Sequence, residues 1–149
     1  MLETVDGHLS ENVEMYLKAI LLLSGPTGDA AKTGDISKEL GVTPAAVTEM
    51  LERLQRDGLV NYEKYRGARL SADGRTRARD VLRKHCIVER FLVETLDMRE
   101  GAEYHDQACK LEHVISDELA RRLNKLSKVR PECPDCYSLE QHHCKKLAI

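Results

Sequence analysis

The sequence predicts a mainly α-helical fold, with a helix-turn-helix and wing at the N-terminus and an all-helical domain after it. Three observations predict this. Apolar residues recur at helical spacing through most of the first 127 positions. A tight Gly-containing turn, Leu40-Gly41-Val42-Thr43, separates two of those stretches. The clearest strand signal, LVNYEKYRGARLS, follows the second stretch directly.

Each element follows in order. In ENVEMYLKAILLLS, residues 11–24, Val13, Leu17, Ile20, Leu21 and Ser24 share one side of a helix. GPTGD at 25–29 is a loop. ISKEL after Thr33-Gly34-Asp35 is a short helix ended by Gly41. Thr43 caps the next helix, Pro44 stands at its first position, and Gly58 ends it. Strand formers on both sides of Arg66-Gly67 predict a two-stranded hairpin. A long helix is expected over 73–97 and another helical region over 102–127, with an interruption at Gly101. The expected domains are 1–72, a winged helix-turn-helix; 73–128, a helical domain; and 129–149, a Cys/His-rich tail.

The totals bound the reading. At 149 residues with 42% hydrophobic, the chain can form one large domain or two small ones around a packed core. With no Trp and one Phe, that core must be aliphatic. The net charge of −2 argues against polyanion binding by the whole surface, yet the segment from Arg53 to Lys84 is locally cationic. AILLL at 19–23 is too short to span a bilayer and lacks a cleavage pattern, so a soluble cytoplasmic protein is expected, with no membrane partner. Five cysteines without an export signal point to reduced thiols rather than a disulfide framework.

A winged helix-turn-helix presents the N-terminal end of its second helix to the DNA major groove. Ala45 and Ala46 permit close approach, and Thr43 and Thr48 can reach phosphates or bases. Arg53 lies on the same helix, and Lys64, Arg66 and Arg69 on the wing suit phosphates. The alternative is a winged helix used only for protein contacts.

HDQACKLEH at 105–113 carries a second kind of chemistry. With His105 at 0° on a helix, Cys109, Glu112 and His113 fall at about 40°, −20° and 80°, on one stripe. His85 and Glu89, four apart, share a face of the preceding helix. Imidazole and carboxylate suit divalent iron, manganese, zinc or nickel, and the thiol disfavours manganese. Solvated helix faces are the competing reading. Cys86, about 100° from His85, is expected in the core. Met15 reads as core filler. The absence of a phosphate loop or nucleophile–base motif argues against an enzyme.

These pieces together resemble the diphtheria-toxin-repressor family of metal-dependent transcriptional regulators. The resemblance rests on ENVEMYLKAI, DISKELGVTPAAVTEMLERLQRDGLV, YEKYRGARLSADGR, RKHCIVERFL and HDQACKLEHVISDEL, in the family's order over residues 11–127. It implies a metal-binding dimerisation domain, a homodimer on double-stranded operator DNA, and two metal sites. Met15, Cys109, Glu112 and His113 match the activating primary site, and His85, Glu89 and His105 the ancillary site. Met and Cys at these primary positions mark the iron-responsive branch, and Lys18 stands where the manganese branch has Glu. Fe(II) is therefore the expected metal, with Mn(II), Zn(II) or Co(II) as alternatives, and repression of metal-uptake genes the expected outcome. Two departures matter. Iron-type members carry an SH3-like domain that donates to the ancillary site, and this chain is too short for one. Glu49 replaces a Gln of the recognition helix, so the DNA sequence read is expected to differ, because a carboxylate cannot donate to a base edge, though it can accept from cytosine N4.

The tail, CPDCYSLEQHHC, holds Cys133 and Cys136 in a metal-knuckle spacing, then His142, His143 and Cys144. Zinc, an iron–sulfur cluster, idle thiols and a disulfide all remain open there, and a redox switch through the tail is the alternative function. Val88, Leu92 and Leu96 are the expected dimer face, with internal core as the competing reading.

Overall fold

The structure is a computed structural model, and it describes residues 4–5, 8–25, 27–99 and 103–126. It divides into two compact units, Met1–Arg79 and Asp80–Ile149. A minimal antiparallel hairpin, β1 (Thr4–Val5) with β2 (His8–Leu9), opens the chain and has no counterpart in the sequence reading. Helix α1 (Glu11–Ser24) begins where the Ser10 hydroxyl accepts from the Val13 amide. Its buried face holds Val13, Leu17, Ile20, Leu21 and Ser24, the set that the spacing predicts.

Helix α2 (Thr33–Leu40) ends at Gly41, whose φ of 65° closes the turn in the left-handed region. The turn is tightened by Ser37, whose hydroxyl donates to the Val42 carbonyl at 2.5 Å. Helix α3 (Pro44–Arg56) starts on the Thr43 cap, with Pro44 inside its first turn. Val47, Leu51 and Leu54 are fully buried, and α3 packs against α2. Strands β3 (Val60–Glu63) and β4 (Gly67–Leu70) form the wing in register Val60↔Leu70 to Glu63↔Gly67. The wing is anchored close to its turn: Ala31 and Ala68 exchange backbone hydrogen bonds of 2.8 and 2.9 Å. Gly67 makes this possible, because a Cβ there would meet the Ala31 carbonyl oxygen at 2.3 Å.

Helix α4 (Ala72–Glu94) begins in the first unit and continues as the main helix of the second. It stops three residues before the expected end, and Asp97 then takes a φ of 56°. The helical region expected over 102–127 is two helices, α5 (Glu103–Leu111) and α6 (Asp117–Leu126). The cause is local. The amides of Val114 and Ile115 both turn back to the Leu111 carbonyl, and the Ser116 hydroxyl caps α6 through the Leu119 amide at 3.1 Å. His113 therefore leaves the helical register on which the stripe was built. Val81, Leu82, Ile87, Val88, Leu92, Val93, Tyr104, Ala108 and Ala120 supply the apolar core of the second unit.

Candidate metal centre and nucleic-acid interface

The second unit buries an unusual density of ionisable groups. Lys84, His85, Glu89, Arg90 and Glu112 are all buried, four of them at 1% exposure or less. Buried charge is costly unless paired, and Lys84, His85, Glu89 and Glu112 each face a group of opposite charge. Lys84 bridges Asp80 at 3.3 Å and Asp117 at 2.9 Å, tying α4 to the start of α6. Arg90 donates from Nε to the Cys86 carbonyl at 3.2 Å.

His85 lies between two carboxylates. Its Nδ1 is 2.6 Å from Glu112 Oε2 and its Nε2 is 2.7 Å from Glu89 Oε1. His105 reaches the same Glu89 oxygen through Nδ1 at 2.7 Å, and its Nε2 is 3.4 Å from Cys109 Sγ. The two imidazoles meet edge to face, with ring centroids 4.9 Å apart. His113 Nε2 lies 3.2 Å from Glu112 Oε1, with its side chain 2% exposed. Ligand atoms of His85, His105 and Cys109 all fall within 4.8 Å of one another. The six donors form one continuous network, and its hydrogen bonds join residues that the sequence reading divides between two sites. Cys86 is fully buried with a free thiol, as its helix position predicts.

The network favours protonated imidazoles. Burial pushes the His85 pKa down, but hydrogen bonds with Cys109, Glu112 and Glu89 together outweigh it and hold it well above the ordinary value. For His105, hydrogen bonds to Cys109 and Glu89 exceed the effect of burial and raise the pKa to about 9. The donor set fits a divalent transition metal: imidazoles, a thiol and carboxylates converge around the buried His85. A calcium or magnesium site would be built from oxygen alone.

In the first unit, Thr43, Pro44, Ala45, Ala46 and Glu49 are exposed along the N-terminal half of α3, and Thr48 is half-buried among them. The Thr43 hydroxyl accepts from the Ala46 amide at 3.2 Å, leaving its proton for an outside acceptor. Thr48 donates back to the Pro44 carbonyl at 3.1 Å and keeps lone pairs for an outside donor. Arg53 is half-buried, and Lys64, Arg66 and Arg69 are exposed. Arg69 also holds the preceding loop, donating to the Gly28 carbonyl at 3.2 Å. Lys32, absent from the sequence reading, joins the wing by donating to the Arg66 carbonyl at 3.1 Å. Met15 is half-buried on α1. Cys133, Cys136, His142, His143 and Cys144 lie outside the described residues.

Comparison with known proteins decides the family. Residues 8–68 match the iron dependent repressor N-terminal DNA binding domain, and residues 71–138 match the iron dependent repressor metal binding and dimerisation domain. The chain belongs to the iron-dependent repressor family, that of the diphtheria toxin repressor. This is a family of DNA-binding, metal-dependent transcriptional regulators and not of enzymes. A relative in the family, an HTH-type transcriptional regulator of Methanocaldococcus jannaschii, is 41% identical over 115 residues, which is 77% of this chain and 91% of that protein. The diphtheria toxin repressor of Corynebacterium diphtheriae is 38% identical over 122 residues, 80% of this chain and 52% of the repressor. A solved manganese-dependent transcriptional repressor in complex with manganese aligns at a TM-score of 0.69 with 32% identity, over 76% of this chain and 51% of that one. The chain thus spans about half the length of the corynebacterial repressor and nearly all of the Methanocaldococcus regulator. Among the described residues, no helix is long and apolar enough to cross a membrane.

Sequence reasoning missed the bond from Glu112 to His85, which spans 27 positions and depends on how α5 meets α4. It also missed Arg90 and Lys84. A visible signal existed for both: each stands next to a helix residue, Glu89 or His85, already read as a ligand.

Proposed function

We propose that this chain is a homodimeric cytoplasmic repressor that binds operator DNA when a divalent metal, in particular ferrous iron, is held by its second unit, and that it controls metal-uptake genes. One observation carries the reading: a partly buried His/Cys/Glu cluster occurs in the same chain as a helix-turn-helix with a cationic wing. His85, Glu89, His105, Cys109, Glu112 and His113 would hold the metal. Cys109 favours iron(II) or zinc over manganese(II), because a thiolate is a soft ligand. The family pattern divides the donors into an activating set, with Met15, Cys109, Glu112 and His113, and an ancillary set, with His85, Glu89 and His105. The His85–Glu112 bond ties the two sets, so filling one changes a partner of the other.

When bound, the metal supplies positive charge in exchange for the protons on the imidazoles. It shifts the population towards the DNA-reading state by as much as it prefers that state. In that state the α3 N-terminus, with Thr43, Pro44, Ala45, Ala46, Thr48 and Glu49, faces the major groove, and Arg53, Lys64, Arg66 and Arg69 face phosphates.

The test is retention of genomic DNA fragments on purified protein, without oxygen, with ferrous, manganous or zinc ions or with chelator. Retention with ferrous iron alone is the expected result. Retention with manganese or zinc instead keeps the regulator and overturns the metal. Equal retention under chelator overturns metal control.

A further inference from the structure

The tip of the wing carries a residue that the DNA-reading surface described so far does not use. Glu63 to Arg66 form a tight turn closed by the Arg66 amide donating to the Glu63 carbonyl at 3.0 Å. Tyr65 is its third residue, at a φ of 67°. A turn with positive φ there favours Gly or Asn. Tyr is instead present, 89% exposed, the most exposed large apolar side chain among the described residues. The Lys64 ammonium stands 5.3 Å from the ring centroid. The side chain contributes nothing to the core, and its backbone is held in an unfavourable region.

The surroundings identify what the ring fits. Lys64 and Arg66 flank it in sequence, Arg66 pairing with Glu63 at 3.4 Å, and Lys32 donates to the Arg66 carbonyl, so the tip around the ring is rich in cations. A groove of about 370 Å³ runs from Tyr65 and Lys64 past Lys32 to Thr48 on α3. The tip is therefore continuous with the recognition helix. An exposed ring with a cation over it, on a cationic tip beside the recognition helix, matches the edge of a duplex, where phosphates border the sugars of the minor groove.

We propose that Tyr65 is a DNA-contact residue whose ring rests on the sugar wall of the minor groove next to the major groove read by α3, while Lys64 and Arg66 neutralise the bordering phosphates. This rests on the DNA-reading function proposed above. The contact is apolar, so it adds affinity that salt does not screen, whereas the neighbouring cations add affinity that salt does screen.

The probe is a duplex selected from random-sequence DNA by the full chain loaded with ferrous, manganous or zinc ion. Tyr65→Ala should weaken binding roughly fivefold to tenfold with an unchanged salt slope. Lys64→Ala should lower the slope by about 0.9. Tyr65→Gly should weaken binding in the same way while its melting temperature is equal to or above that of the parent, which a structural role for the ring would not allow. Because the chain has no Trp, Tyr65→Trp places a single emitter at the tip, and its emission should shift to the blue and lose intensity on the duplex. Tyr65→Ala binding within about twofold of the parent, or Trp emission unchanged in the complex, overturns the inference alone. If no duplex is retained with any metal, the DNA-reading function falls and the inference with it.

Discussion

His85 has a carboxylate at each ring nitrogen, and His105 has a carboxylate at one and a thiol at the other. Such rings act as double donors, which is why both prefer to be charged. A consequence for stability follows in protein kept in chelator. The folded pKa of His105 is about 9 against an ordinary value of 6.5, so its contribution is fully present below pH 6.5 and is lost as pH rises towards 9. Urea midpoints in chelator should therefore fall between pH 6.5 and 9. His105→Gln should flatten that fall, and an identical pH profile in the variant would count against the assignment. Cys109 carries the metal argument at this scale. Cys109→Ala should leave the helical circular dichroism intact and reduce metal-dependent DNA retention at least about tenfold. Retention unchanged from the parent would sink the role. The sequence made the pairing of His85 with Glu89 legible, because four residues is one helical turn. The Glu112 partner was not legible, because it arrives from the turn after another helix.

At the scale of elements, capping and turn chemistry were the most readable features. Thr43 and Gly41 mark the start of α3 and the end of α2 where their residue types predict. The split between α5 and α6 was less readable, because the apolar spacing continues across it while Ser116 starts a new helix. The anchoring of the wing by Ala31 was hidden altogether, since a two-residue backbone bridge leaves no side-chain pattern. Gly67 is the place to test that anchor. Gly67→Ala adds a Cβ at 2.3 Å from the Ala31 carbonyl at a φ of 105°. It should destabilise the protein by about 2 kcal/mol, as overpacking of a fixed backbone does. Thermal or urea unfolding reads this directly. A loss below about 0.5 kcal/mol would mean that the wing detaches from Ala31 without penalty.

For the whole molecule, the outstanding question is which surface a second copy covers. Periodicity placed the interface on Val88, Leu92 and Leu96, but Val88 is 1% and Leu92 6% exposed within a single chain, and Leu96 alone of the three is open to solvent. The reason is that α4 is apolar on more than one face, so spacing cannot separate inside from outside. Exposed apolar residues gather instead on α6. Leu119, Leu123 and Leu126 fall at about 0°, 40° and −20°, a single stripe. Leu119 and Leu126 are 44% and 59% exposed, and Val114, in the turn before α6, is 71% exposed. The second unit matches a metal binding and dimerisation domain, which gives such a stripe a use. A stable dimer buries roughly 800 Å² per partner, with an apolar centre from which charge is excluded. Leu119→Glu puts a carboxylate into that centre twice, once from each copy. It should shift micromolar protein from dimer to monomer in sedimentation. It should also weaken DNA binding at least about tenfold, because one winged helix reads only one half-site. The fold should persist, since Leu119 is already half exposed. A variant that stays dimeric would move the interface away from α6.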